Sequence, residues 1–360
     1  MEGLALMAVS TTSGFWQNKR VLVTGHTGFK GAWLTLCLKR LGASVIGLSL
    51  PPNTAPSLFS LLNGRTLCEN HLCDVRDSQK VLAVVRQANP EIVFHLAAQP
   101  LVRASYVDPL STFGTNVMGT AHLLDALRQI ETVRVAVMVT TDKVYSPNEA
   151  LWPFRETDAL GGYDPYSSSK AASELVIDCY RRSFLAEQGV AVASARAGNV
   201  VGGGDWSLDR LIPDAIRAWQ ADATLEVRRP DAIRPWQHVL EPISGYLILA
   251  QTLWRDQTLA GAYNFGPPSG EAASVKQIVE QARAYYSVGK VDYAYNVVGP
   301  HEASYLTLEI MKSKQKLGFT PRWALQETIR RTMHWYSRHY AGADTYRLCL
   351  EDIEAYEAAA

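Results

Sequence analysis

At 360 residues the chain is too long for one minimal domain, and a composition 47% hydrophobic and 19% charged lets it bury a large core. Lys plus Arg and Asp plus Glu each number 35, a zero formal charge that argues against a dedicated nucleic-acid or acidic-membrane surface. The five scattered cysteines (Cys37, Cys68, Cys73, Cys179, Cys349) spell neither a disulfide framework nor a metal cluster, so no metal is expected and a reducing, cytoplasmic setting is the simplest reading.

Residues 1–14 lack the basic start and long apolar run of a signal peptide and read as a loosely ordered extension. No later run approaches the ~20 apolar residues of a membrane span. A first strand is expected at 20–25 (RVLVTG), then a glycine turn and a helix over 30–42. Further strands follow at 44–50, 70–75, 92–98, 133–141 and 190–197, with helices at 119–130 and 167–189 between them. The strands are rich in Val, Ile and Leu with little alternation, as strands covered on both faces are. Strand and helix in turn imply right-handed crossovers, hence an α/β fold with a doubly wound parallel sheet of Rossmann type. Beyond about residue 198 the rhythm breaks into Gly/Pro-punctuated loops (GGGDW, RRPDAIRPW, GPPSG, GPHEA), which suggests a smaller second domain over the sheet's C-terminal edge, where open α/β sheets bind ligands.

Three groups of residues carry chemistry. Thr24-Gly25-His26-Thr27-Gly28-Phe29-Lys30-Gly31 lies between the first strand and the first helix, with its glycines spaced G-x-x-G-x-x-G. Gly25 permits the turn, Gly28 lets the backbone approach a pyrophosphate, and Gly31 allows close helix–strand packing; Thr27, Phe29 and Lys30 complete the candidate dinucleotide contacts. The acidic residue expected about 20 positions on is missing, since Ser49-Leu50-Pro51-Pro52 stand there, so spacing does not decide between NAD and NADP. Tyr166 and Lys170, at i and i+4 on the 167–189 helix, share one face, where an adjacent ammonium favours the phenolate. Thr140-Thr141-Asp142-Lys143 closes the fifth strand and sets an acid beside a potential base at the central crevice. A capping carboxylate and a solvated lysine are the plainer alternatives for Asp142 and Lys143.

With these motifs the chain resembles the extended short-chain dehydrogenase/reductase superfamily and, more narrowly, the CDP-glucose 4,6-dehydratases. GHTGFKG (25–31), HLAAQPLVRASY (95–106), TNVMGT (115–120), TTDKVY (140–145), GGYDPYSSSK (161–170), RAGNVVGGGDW (196–206), IRPWQHVLEP (233–242), NFGP (264–267) and HEASYL (301–306) carry the likeness over about residues 15–330. Asp-Lys after the fifth strand is telling, because related dTDP-glucose dehydratases carry Asp-Glu there and epimerases carry neither.

The resemblance implies a redox-neutral dehydration of a nucleotide sugar with a retained NAD. Tyr166, assisted by Thr141 and Lys170, would take the C4 hydroxyl proton as the C4 hydride leaves; Asp142 would protonate the departing C6 oxygen and Lys143 would take the C5 proton. It further implies cofactor contacts at Asp74, Val75, Leu96, Ala97, Ala98, Gln99, Asn116, Tyr166 and Lys170. Substrate contacts are implied at Asn199, Arg210 and Arg234, and also at Gln99, Arg103, His301 and Tyr305. A NAD-binding domain is expected from 15–198 plus about 237–261, a nucleotide-sugar domain from 199–236 plus 262–360, and a homodimer through helices 119–130 and 167–189. Val144, Ser168 and Ser304 stand where the family commonly has Cys, Asn and a second His. Two other readings use the same glycine turn. A nucleotide-sugar 4-epimerase or reductase gives no reason for Asp142-Lys143, and a non-catalytic dinucleotide-binding regulator would be expected to lose Tyr166 or Lys170.

Overall fold

Seven parallel strands form one sheet, most of them runs of Val, Ile, Leu and Ala and the edge strand β3 polar: β1 (Arg20–Thr24), β2 (Ser44–Ser49), β3 (Glu69–Leu72), β4 (Ile92–His95), β5 (Val135–Val139), β6 (Ala191–Ala197) and β7 (Ala262–Phe265). Their order is β7-β6-β5-β4-β1-β2-β3, so the winding reverses between β1 and β4. The computed structural model describes residues 14–62, 67–147, 152–287, 289–294 and 304–359; the N-terminal extension, apart from Gly14, lies outside them.

Strand alternation divides the core in two. Val21, Val23, Phe94, Val137, Val139, Ala193 and Ala195 face α1 (Phe29–Arg40) on one side of the sheet. Leu22, Val93, Ala136, Met138 and Val192 face α2 (Ser78–Ala88), α3 (Gly119–Leu127) and α4 (Pro165–Tyr180) on the other. A fifth helix, α5 (Leu240–Arg255), joins α1 on the first face through Ile243, Tyr246, Leu247 and Leu253. Both faces are therefore covered, and the strands can be apolar throughout.

The expected strands and helices all form. The strand at the outer edge, β7, was not among them. Ala262–Phe265 pairs in parallel with Ser194–Ala197, so the chain rejoins the sheet after leaving it at residue 197. The expected second-domain boundary at 262 is corrected accordingly: 262–265 belong to the sheet. A four-residue strand with a buried polar Asn264 offers too little periodicity to be read directly.

Register sets the ligand edge. Thr24 pairs with His95, which brings the glycine turn beside Leu96–Ala98. Val139 pairs with Ala195, and Thr140 N–H donates to Ala195 O, which brings Thr140–Asp142 beside Ala197–Asn199. Among the described residues no helix is long and apolar enough to cross a membrane, and none of the five cysteines is in a disulfide.

Candidate active site

A cleft of about 400 Å³ opens along the C-terminal ends of the strands, where the winding reverses. Gly25, Thr27, Gly28, Phe29, Lys30 and Gly31 line it, as expected. Gly25 turns at φ +74°, and a Cβ there would lie 2.7 Å from Ala97 N. A Cβ on Gly31 would lie 2.1 Å from Gly25 O, so only glycine lets α1 start this close under the turn. The free N–H groups of the first turn of α1 then face the cleft, as a pyrophosphate requires. Gly31→Ala should push the turn off the helix and weaken NAD binding by at least about 100-fold; calorimetric titration with NAD, beside circular dichroism of the folded variant, checks this.

At the adenosine end no carboxylate stands after β2. Thr27 Oγ1 donates to Leu50 O at 2.8 Å and lies 2.8 Å from Ser49 Oγ, and Asn53 and Thr54 complete the wall. Asp74 and Val75 line the same end; Arg76 beside Asp74, at 2.6 Å, holds its carboxyl below the usual range. Leu96, Ala97 and Ala98 form the floor.

The reactive corner is built by the end of β5 and the start of α4. Asp164 caps α4 by accepting from Ser167 N–H, Pro165 opens the first turn, and Tyr166 N–H donates to Ser105 Oγ at 3.1 Å. Tyr166 and Lys170 stand one turn apart, both buried, and both line the cleft with Thr141, Asp142 and Lys143. Lys170 Nζ donates to Val139 O at 3.1 Å, and burial pulls its pKa down to about 8 against the attraction of Glu174. Burial pushes the Tyr166 phenol up to about 12, while the Thr141 hydroxyl and Arg210 pull it back. The expected lowering by Lys170 is thus outweighed in the protein alone, because the i, i+4 spacing carries no information about burial.

Asp142 is 3% exposed. Its Oδ1 accepts from Thr141 Oγ1 at 3.0 Å, and its Oδ2 has no hydrogen-bond partner among the described residues. Burial raises its pKa, against the pull of Lys143, Thr141, Arg234 and Lys30. An upward shift by burial is the direction that a general acid needs.

The facing wall comes from GGGDW. A Cβ on Gly203 would lie 2.1 Å from the Trp335 ring, and Gly203 O accepts from Trp33 Nε1 of α1. This close contact sets Asp205, Trp206 and Ser207 into the cleft beside Asn199 and Arg210. Arg210 Nε stands 4.0 Å from buried Asp205 Oδ2. Lys30 reaches the same corner: burial and Arg210 pull its pKa down to about 8, with Asp142 and Asp205 opposing and Lys170 adding to the repulsion. Sequence reasoning gave Lys30 to the dinucleotide and assigned Asp205 no role; the distinctiveness of GGGDW was the available signal.

Five expected contacts need correction. Gln99 does not line the cleft, because its amide is spent locally: Nε2 donates to Leu101 O and Thr112 Oγ1, and Oε1 accepts from Leu101 N. Asn116 is buried behind the wall, bonded to the Gln99 backbone and to Ser169 Oγ, and its neighbour Thr115 lines the cleft instead. Arg103 is paired with Asp209 at 3.1 Å on the surface. Arg234 does not line the cleft either; it lies buried behind Asp142, donates to Ile233 O at 2.8 Å, and acts on the carboxyl electrostatically. Tyr305 forms a β-bridge with Ile233 away from the cleft lining. His301 lies outside the described residues. Of the three departures from the family pattern, Val144 is buried with Tyr145 and Phe154, Ser168 Oγ donates to Gly162 O, and Ser304 O accepts from Ile233 N. No group of three or more potential metal ligands occurs among the described residues.

The family model described as GDP-mannose 4,6 dehydratase matches residues 22–332. A CDP-glucose 4,6-dehydratase of Salmonella typhimurium is 45% identical over 354 residues, spanning 96% of this chain and 98% of its own. A dTDP-glucose 4,6-dehydratase of Xanthomonas campestris is 26% identical over 88% of this chain and 92% of its own. Among solved structures DesIV, a dTDP-glucose 4,6-dehydratase from Streptomyces venezuelae with NAD bound, superposes with a TM-score of 0.77 at 22% identity, over 91% of this chain and 99% of its own, and so shares the fold. The chain belongs to the GDP-mannose 4,6 dehydratase family of extended short-chain dehydrogenase/reductases and, within it, to the CDP-glucose 4,6-dehydratases.

Proposed function

We propose that the protein is a hydro-lyase that converts CDP-D-glucose to CDP-4-dehydro-6-deoxy-D-glucose with NAD as a recycled cofactor. The observation that carries this reading is the buried Asp142 carboxyl with a free Oδ2, followed by Lys143 and set across one cleft from Tyr166 and Lys170. A 4-epimerase needs the last two residues but has no use for an acid and a base at the end of β5.

The glycine turn and the first turn of α1 would hold the NAD diphosphate, with Ser49, Asn53, Thr54, Asp74 and Val75, which line the same end of the cleft, available to its adenosine. When bound, NAD supplies hydride acceptance at C4, hydride return at C6, and a positive ring charge that favours the Tyr166 phenolate. Tyr166 takes the C4 hydroxyl proton. The ketone so made acidifies C5, which is why oxidation precedes elimination. Lys143 then removes the C5 proton, and Asp142, whose acid form burial favours, gives its proton to the leaving C6 oxygen. Asn199 and the guanidinium of Arg210 suit the sugar-nucleotide diphosphate, with Lys30 adding charge on the same side. The sheet with its helices serves as the dinucleotide-binding part and the segments after residue 198, β7 apart, as the nucleotide-sugar part.

Purified protein incubated separately with CDP-glucose, dTDP-glucose, GDP-mannose and UDP-glucose should lose one water from CDP-glucose alone, as mass spectrometry reads. A product of unchanged mass would select the epimerase.

The protein works as a homodimer in a reducing cytoplasm, which suits five cysteines none of which is in a disulfide. Val107, Leu110 and Met118, on the helical segments over 102–118, and Leu175 on neighbouring α4 are exposed apolar side chains that a second copy would cover. The proposed interface keeps the expected 167–189 helix through Leu175 and adds the residues just before the expected helix 119–130. Leu175→Glu should convert the dimer to monomer in sedimentation velocity, whereas an unchanged sedimentation coefficient would exclude α4 from the interface.

A further inference from the structure

The proposed dehydration leaves one proton out of place. The C4 hydroxyl proton ends on Tyr166. The hydride pair removed from C4 returns to C6, and the C5 proton travels to Lys143 and back to C5. The C6 oxygen departs as water with a proton taken from Asp142. Electrons balance, but at the end of a turnover Tyr166 is a phenol and Asp142 a carboxylate, the reverse of the starting state. One proton must pass from Tyr166 to Asp142 before the next substrate reacts.

We propose that the Thr141 hydroxyl carries this proton and so resets the acid from the base. Thr141 Oγ1 already donates to Asp142 Oδ1 at 3.0 Å. The same residue lines the cleft together with Tyr166, near enough for its hydroxyl to act on the phenol. Lys143 N–H, donating to Thr141 Oγ1 at 3.3 Å, fixes its position at the head of the short turn Asp142–Val144. Tyr166, Thr141 and Asp142 are all buried, which restricts exchange with bulk water. A hydroxyl is both donor and acceptor. In the reset the Tyr166 O–H bond breaks and its proton joins Thr141 Oγ1. The proton Thr141 held before passes to Asp142 Oδ1, leaving the phenolate and the carboxylic acid ready. No other reactant is consumed. Each turnover thus passes one proton from Tyr166 to Asp142, and Thr141 is its path.

The relay rests on the dehydratase reading, and its test separates the two. Rapid-quench product counting is run on NAD-loaded, full-length protein with CDP-glucose, for the unaltered chain, Thr141→Ser, Thr141→Val and, as a second hydroxyl-free form, Thr141→Ala. The hydroxyl-free variants, whose first turnover is itself slowed by loss of the Thr141 support to Tyr166, should form about one product per site and then slow by about a further 100-fold, the scale of a lost proton transfer. The slow phase should rise in proportion to added imidazole, a small diffusible proton carrier. The Ser variant and the unaltered chain should show neither the slow phase nor the rescue. A uniform progress curve in both hydroxyl-free variants, or a slow phase indifferent to imidazole, overturns the relay. Absence of water loss in the unaltered protein overturns the dehydratase reading and the relay with it.

Discussion

Asp142→Asn will all but stop water loss, by about 10²- to 10⁴-fold, while leaving C4 oxidation possible. Asparagine keeps the shape of the carboxyl and can still accept from Thr141 Oγ1, so the hydrogen bond at 3.0 Å survives. What it lacks is a proton to give to the C6 oxygen. The Tyr166–Lys170 pair is untouched, so the C4 hydroxyl proton and the hydride can still leave. Mixing the NAD-loaded variant with CDP-glucose should produce a persistent near-ultraviolet absorbance of reduced nicotinamide, with no loss of water by mass spectrometry. Dehydration within a few-fold of the unaltered rate would place the acid elsewhere.

The second large effect concerns the frame that holds this corner. Glu174 lies one turn beyond Lys170 on α4. Its carboxylate accepts from Thr140 Oγ1 at the end of β5, from Ser194 Oγ, and from Nε and Nη2 of Arg196 at 2.9 Å on β6. Arg196 in turn donates to Tyr145 Oη, which donates to Asn264 of β7 at 2.6 Å. Both charged side chains are 4% exposed, so the pair is nearly dry. Glu174→Ala strands a buried guanidinium and two hydroxyls, and should lower stability by about 3–5 kcal/mol in urea titration. Replacing Glu174 and Arg196 together by leucine should cost less than Glu174→Ala alone, because no charge is left without its counterpart. Equal or greater loss in the double variant would mean that the hydroxyl contacts, not the ion pair, dominate. The network also aligns β5 with α4, and with them the distance between Thr141 and Tyr166.

The sheet, apart from β7 and the polar edge strand β3, was legible because a strand covered on both faces must be apolar at nearly every position. The glycine turn was legible for a similar reason: Gly25 and Gly31 occupy places where any Cβ would strike backbone. Asp142 and Lys143 could be placed because residues at the end of a central strand can only face the crevice. Side-chain direction away from those points was not legible. Gln99 and Asn116 sit in the expected segments, yet their amides are consumed by the loop and helix they brace. Arg103 finds a partner 106 residues away in Asp209, a pairing that spacing cannot reveal. Lys30 is assigned to the dinucleotide by its motif, but only its burial against Arg210 and Asp142 places it at the reactive corner. Burial also reverses the expected direction of the Tyr166 shift, because an i, i+4 lysine says nothing of how much solvent is lost.

The return of the chain to the sheet at β7 has a consequence for how the protein is made. Until residues 262–265 emerge during synthesis, β6 is a bare hydrophobic edge, AVASARA, beside a finished five-strand neighbourhood. At ordinary translation speed that interval lasts seconds, far longer than hairpin formation or collapse. An unpaired edge is the feature through which incomplete chains capture one another. The vulnerable moment of this protein is therefore written into its chain order: protection during translation, and not the stability of the finished fold, sets how much of it survives at high expression.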